Sequence, residues 1–245
     1  MVIIGGRAHN IEHINTIGKL GYPYTEISLL DPAAVESQME VLLELKQRYG
    51  IYYIAHYPNE DNPLDTNILE KMFVPKMKRL FDLSQRLGII KGTMHFWIDK
   101  RWASSELITN KIEMLSRLVS YAKKKDVTIC LENLSERYSS FADAFQAIDD
   151  LRMTLDIGHG QLLSSQNTAF DFIRKGFDRI AHLHVHDNFG GTSVKDDLHL
   201  ALGDGVVDYR GIFTLLKNKG YSSSITMEVK LPDMPRTKKT IEQSF

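Results

Sequence analysis

Short apolar runs recur along the chain, each followed by a turn and then by a longer segment whose apolar residues return at helical spacing. That succession is the strand–helix repeat of a parallel sheet covered by helices. Eight runs predict strands at Val2–Gly5, Tyr24–Ser28, Ile51–His56, Ile89–His95, Val127–Glu132, Arg152–Asp156, Ile180–His186 and Ile225–Val229. Asp31-Pro32 opens the second helix, Pro63 or Asp65 the third, and Ser104 or Ser105 the fourth, by side-chain capping and by proline in the first turn. Gly21, Gly50, Gly88, Gly220 and the basic run Lys123–Lys125 mark helix ends that turn back into strands. The last helix, about Thr237 to Gln243, looks short, so either the barrel closes with a minimal eighth helix or a partner subunit covers that face, making the chain a possible homo-oligomer. The fold class that follows is α/β, a single (β/α)₈ TIM barrel over residues 1–245, and that length is usual for the fold.

Strand side chains alternate between the helix-covered side and the barrel axis. In the fifth strand Ile129 and Leu131 share one face while Cys130 and Glu132 share the other. The sixth sets Met153 and Leu155 against Thr154 and Asp156, and the eighth sets Ile225, Met227 and Val229 against Thr226 and Glu228. In the seventh, His182, His184 and His186 point inward together; His56 and His95 end the third and fourth strands.

Carboxylates and imidazoles converging at the top of a barrel are costly to bury unless something neutralises and orders them. A divalent metal does both, with Glu132, Asp156, His184 and Glu228 as ligands, joined by His159 one turn beyond Asp156. Taken singly, each of these residues reads more readily as a hydrogen-bonded structural group than as a ligand; the joint pattern favours metal. His9 and His13 read as solvated helix residues, His182 as a core residue below the site, and His186 as a group that orders a ligand or binds substrate. Arg7, Glu26, Trp97 and Lys230, at or just beyond strand tops, are expected around the substrate, although an aromatic such as Trp97 packs against its own loop about as often as it stacks on a sugar.

Composition narrows the chemistry. The lone Cys130 excludes a disulfide within the chain and a cysteine-rich zinc site, leaving nitrogen and oxygen donors that suit Zn²⁺ or Mn²⁺. With 30 basic and 31 acidic residues, the net charge of -1 gives poor footing for duplex DNA. The N-terminus lacks a basic segment followed by a long apolar stretch, and no later run approaches a membrane span, so the expectation is a soluble, cytoplasmic protein.

The motifs Ala55-His56-Tyr57-Pro58, Leu131-Glu132-Asn133, Leu155-Asp156-Ile157-Gly158-His159, His184-Val185-His186-Asp187-Asn188, Asp197-Leu198-His199 with Leu202-Gly203-Asp204-Gly205, and Met227-Glu228-Val229-Lys230 resemble the xylose isomerase-like barrel superfamily over nearly the whole chain. That superfamily holds sugar isomerases and epimerases together with the endonuclease IV type of abasic-site enzyme. The isomerase branch implies one metal on Glu132, Asp156, His184 and Glu228, with the two glutamates acting as catalytic base and acid. The endonuclease IV branch implies three zinc ions on His56, His95, Glu132, Asp156, His159, His184, Asp197, His199 and Glu228, and every one of these is the residue type required. One to three ions are therefore expected. The favoured expectation is a sugar or sugar-phosphate isomerase or epimerase working through a metal-stabilised enediolate. The runner-up is a multi-zinc phosphoesterase. A sugar-binding barrel without chemistry is the third possibility, and the presence of both Glu132 and Glu228 speaks against it.

Overall fold

Each predicted apolar run pairs in parallel with the next, and the eighth returns to the first, closing the barrel β1-β2-β3-β4-β5-β6-β7-β8. The computed structural model describes residues 1–245. Its strands are β1 (Ile3–Ala8), β2 (Tyr24–Ser28), β3 (Tyr52–His56), β4 (Lys91–Met94), β5 (Thr128–Glu132), β6 (Arg152–Asp156), β7 (Ile180–Val185) and β8 (Ser224–Met227). The covering helices are α1 (Ile11–Lys19), α2 (Pro32–Ser37), α3 (Met39–Tyr49), α4 (Val74–Arg86), α5 (Ser105–Lys123), α6 (Tyr138–Ala147), α7 (Ala169–Gly176), α8 (Tyr209–Asn218) and α9 (Met234–Ser244). Between barrel and helices lies one apolar core of 62 buried residues, which makes it the main source of stability.

Local chemistry sets the boundaries. Asp31 Oδ1 accepts from Ala34 N at 2.9 Å, Asp65 Oδ1 accepts from Asn67 N and Ile68 N, and Ser104 Oγ accepts from Leu107 N at 3.2 Å. Each such cap contributes about 1 kcal/mol. After α3, Gly50 takes φ 62°, the left-handed turn that lets the chain re-enter β3.

Two expectations need correction. The first strand, predicted to stop at Gly5, runs to Ala8, because Gly5 and Gly6 serve close packing rather than a turn. A Cβ on Gly5 would fall 2.6 Å from the Tyr24 ring, and one on Gly6 would fall 2.7 Å from Met234 Sδ. Strand β1 can then pair with β8 through Ile3–Gly6 and with β2 through Gly6–Ala8. The last helix is longer than expected: α9 follows a 3₁₀ turn at Leu231–Asp233 and buries Met234, Thr237 and Ile241.

A long excursion joins β7 to α8 and is organised by a buried carboxylate. Asp187 accepts from Asn188 N, Gly203 N and Val207 N at 2.9 Å each, and its backbone pairs with Leu200 in an antiparallel bridge. This holds Asp197 and His199 over the C-terminal mouth of the barrel.

Candidate metal centre

The tops of β1, β3, β5, β6 and β7 carry Arg7, His56, Glu132, Asp156 and His184; His95 and Glu228 follow β4 and β8 directly. All but His95 are at most 8% exposed. Five groups of donor atoms form there and just below, the atoms of each within 4.8 Å of one another; two of them, His56, His184 and Glu228, and Glu26, His182 and His184, share His184 with the larger set, and three stand as candidate ion sites. The first is His56, His95 and Glu132; the second is Glu132, Asp156, His184 and Glu228; the third is His159, His186, Asp197 and His199. Glu132 joins the first two, since its Oε2 lies 2.5 Å from His95 Nε2 and its Oε1 lies 2.7 Å from His184 Nδ1.

The fit to a cation follows from proton placement. His56 Nδ1 is 3.1 Å from the Tyr57 carbonyl, His95 Nδ1 2.6 Å from Asn59 Oδ1, His159 Nδ1 3.0 Å from the Asn133 carbonyl, and His199 Nδ1 2.8 Å from the Glu228 carbonyl. An oxygen of this kind only accepts, so each Nδ1 carries the ring proton. Each Nε2 then presents a lone pair to a carboxylate: His56 and His95 to Glu132, His159 and His199 to Asp197. Acceptor facing acceptor is repulsive unless a second proton or a cation lies between them. Asp156 Oδ2 and Asp197 Oδ1 are buried with no hydrogen-bond partner, which again asks for positive charge. A divalent ion in each of these sites would meet these demands together, and nitrogen–oxygen donor sets of this kind suit Zn²⁺ or Mn²⁺.

Electrostatics agree. Burial opposes ionisation of Glu132, but His184 and then His95 hold it well below the usual carboxylate range. Glu228 is held at about 2 against burial, by His184 first and, after the opposing charge of Glu132, by Arg7. Burial would strip a proton from His184, yet Glu132, Glu26 and Glu228 push it well above 6.5. Five carboxylates, Glu26, Glu132, Asp156, Asp197 and Glu228, thus converge with one arginine. His199 is also the one histidine with positive φ (49°), a conformation uncommon outside glycine that aims its ring at Asp197.

A cleft of 540 Å³ opens over these groups, within the usual size for a small-molecule site. A larger groove of 940 Å³ lies at the N-terminal end of the barrel, lined by Met1, Lys217 and Lys238, and holds no converging histidines and carboxylates. The C-terminal cleft is therefore the candidate site. Arg7 lines it. Trp97 is half-buried in an adjoining recess of 420 Å³ shared with His95 and Asn59, its Nε1 donating to Ser135 Oγ at 3.3 Å.

Three residues expected around the substrate do not line the cleft. Glu26 is fully buried inside the barrel between His182 and His184, because it lies two residues short of the end of β2. His186 is sealed against Gly158, where a Cβ would come within 2.1 Å of its ring, and stacks on His199 at 4.1 Å. Lys230 is exposed at the start of the Leu231–Asp233 turn, outside both recesses. Conversely, His9, read as a solvated helix residue, and Lys76, not singled out at all, line the cleft mouth. Nothing in the local pattern marks Lys76, since its position depends on how α4 lies over the β3 end.

Comparison with known proteins is consistent with this architecture. The chain is 26% identical over 223 residues to an uncharacterized protein of Methanocaldococcus jannaschii, covering 84% of this chain and 74% of the relative. It is 22% identical to inosose isomerase of Halalkalibacterium halodurans, covering 95% and 89%. Among solved structures, a D-tagatose 3-epimerase-like protein superposes with a TM-score of 0.84 at 23% identity, covering 99% and 97% of the two chains. The IOLI protein with a bound zinc atom superposes at 0.82 and 15% identity, covering 100% and 99%. At these identities the structural likeness speaks for the fold. Residues 15–244 match the family described as the xylose isomerase-like TIM barrel, and the chain belongs to that family.

Proposed function

We propose that this protein is a divalent-metal-dependent isomerase or epimerase of a sugar or sugar phosphate. The observation that carries this reading is that Glu132 and Glu228, from strands three apart in the closed barrel, meet on His184 Nδ1, 2.7 Å from the first and 3.4 Å from the second, with Glu228 lining the cleft above. The ion would be held by Glu132, Asp156, His184 and Glu228, and would supply Lewis acidity toward adjacent carbonyl and hydroxyl oxygens. Both glutamates are held ionised, so either can accept a proton from the carbon beside the carbonyl. The other, on a different side of the sugar, delivers a proton to the opposite face or to the neighbouring carbon. Arg7 orients Glu228 through Nε at 3.1 Å, and His95 orients Glu132. Relatives named as inosose isomerase and L-ribulose 3-epimerase, matching 95% and 86% of the chain, support this substrate class.

A second reading, a multi-zinc phosphoesterase, is favoured by the other two candidate ion sites, which a single-ion isomerase does not need. One experiment separates the two. Enzyme loaded with Mn²⁺ or Zn²⁺ is incubated in D₂O with a panel of ketoses and ketose phosphates, beside abasic-site DNA and simple phosphodiesters. Deuterium at the carbon next to the carbonyl is the expected result. Phosphodiester cleavage without carbon-bound exchange would refute the isomerase reading and promote the hydrolase.

A further inference from the structure

Four histidines of the centre have their second nitrogen on a neutral oxygen, as described above. His184 differs: its Nε2 lies 3.0 Å from both oxygens of Glu26, a carboxylate fully buried inside the barrel. Glu26 is in turn the end of a file of hydrogen bonds that reaches down the barrel interior. Lys91 Nζ is 2.6 Å from Ser224 Oγ, Ser224 Oγ is 2.6 Å from His182 Nδ1, and His182 Nε2 is 2.9 Å from Glu26 Oε2. Thr226 Oγ1 donates to the same oxygen at 2.6 Å and sits 3.0 Å from Tyr24 Oη.

The direction of every proton in this file can be deduced. The Glu26 carboxylate only accepts, so His182 carries its proton on Nε2, toward it. His182 Nδ1 then accepts from Ser224 Oγ, which itself accepts from the Lys91 ammonium. Tyr24 donates to Thr226, and Thr226 donates to Glu26. All these donors end on one carboxylate that can only accept, so His184 must also present an N–H to it from Nε2. That leaves His184 Nδ1 as a lone pair facing Glu132 Oε1 at 2.7 Å, Glu228 Oε1 at 3.4 Å and Asp156 Oδ2 at 3.9 Å.

From this geometry we infer that Glu26 is a positioning residue for the metal centre, fixing His184 in the Nε2–H form and making Nδ1 a stronger donor than a neutral oxygen partner would. The inference rests on the reading of Glu132, Asp156, His184 and Glu228 as a metal site. A carboxylate behind a ligating histidine sets both the ring's orientation and its basicity, and losing such a partner costs about 10- to 100-fold in metal affinity. The file below it has a purpose on the same account. It saturates Glu26 with donors, so the carboxylate stays ionised in a fully buried position and does not take the proton itself.

The test is zinc affinity by competition with a chromophoric chelator, on wild type, Glu26→Gln and Glu26→Leu, with circular dichroism to establish folding. Glu26→Gln keeps an acceptor for His184 but removes the charge, and is expected to weaken one class of zinc site by about tenfold; Glu26→Leu removes the acceptor and is expected to approach 100-fold. Ring-nitrogen NMR of ¹⁵N-histidine protein, at a pH where His184 carries a single proton, is expected to show that proton at Nε2 in wild type and in Glu26→Gln, and a mixture of tautomers in Glu26→Leu. A purely structural role would lower the melting temperature while leaving the affinity of the folded protein unchanged. Glu26→Gln binding zinc within about twofold of wild type would overturn the inference alone, and this result decides even if Glu26→Leu fails to fold. Wild-type protein that takes up no zinc would overturn it together with the metal-site reading.

Discussion

Arg7 closes on Glu228 across the seam where β1 meets β8, Nε donating to Oε1 at 3.1 Å with both side chains 7% exposed. The guanidinium is itself anchored, Nη1 donating to the Ala8 and Glu26 carbonyls. An arginine so fixed sets the position of Glu228 as well as its charge, and it does so at the place where the barrel must shut.

Replacing Arg7 by Met therefore leaves a buried carboxylate without its partner. In chelator-treated protein the expected loss is about 3–5 kcal/mol, the usual result of breaking a buried pair from one side. Urea unfolding of wild type and Arg7→Met in EDTA measures it. A change below about 1 kcal/mol would mean that the pair behaves like a surface ion pair.

Zinc stoichiometry is expected to respond unequally to two single substitutions. Because Glu132 belongs to two of the three candidate ion sites and His199 to one, protein that binds three ions should lose two of them in Glu132→Ala and only one in His199→Ala. Elemental analysis of zinc-saturated, dialysed protein, with anomalous scattering at the zinc edge, reads the number directly. A single peak in wild type would remove the main support for the phosphoesterase reading.

The loops after β3 and β4 are tied by a second buried pair. Lys111 Nζ lies 2.6 Å from Glu60 Oε1, with side-chain exposures of 0% and 4%, while Glu60 Oε2 accepts from Trp97 N at 2.7 Å. Burial raises the Glu60 pKa despite Lys111, and burial lowers that of Lys111 despite Glu60, so desolvation cancels much of the attraction. Lys111→Met alone should cost about 3–5 kcal/mol, whereas Lys111→Met with Glu60→Gln, which keeps an acceptor for Trp97, should recover most of it. Chemical denaturation of the two single variants and the double variant closes the cycle; additive losses would show that the two groups are not coupled.

Stability of chelated protein should fall on the alkaline side. Burial alone would lower His199, but its hydrogen bond to Asp197 and then the charge of Glu228 raise it from 6.5 to about 9. A raised histidine stabilises fully below its unfolded value and loses that contribution as pH climbs from about 6.5 through about 9, here on the order of 1 kcal/mol after allowance for the partial exposure of His199. His184 and His159, raised well above 6.5 against burial by their carboxylate neighbours, act in the same direction. Zinc competes with these protons, so its affinity should rise over the same window. Melting curves with EDTA and with zinc between pH 6 and 9.5 test both signs, and a chelated protein equally stable at both ends would contradict the first.

The strand count, the α/β order and the inward face of β5 through β8 were all legible in the chain. Each rests on a period-two or helical repeat that neighbouring residues enforce, and Glu132, Asp156, His184 and Glu228 could be picked out on that basis alone. Parity, however, states only which side of a strand a residue occupies, not how far up the barrel it sits. Depth follows from the stagger between strands, which is fixed only when β8 pairs with β1. This is why Glu26, expected around the substrate near the top of its strand, lies inside the barrel against His182 and His184 rather than at the cleft. The same closure, together with the packing of α4, brought Arg7 to Glu228 across 221 residues and Lys76 to the cleft mouth. The sequence by itself determined which residues face inward and supplied their chemistry; only the closed barrel decided which of them stand level with one another, because that depends on register summed around eight strands and on no local pattern.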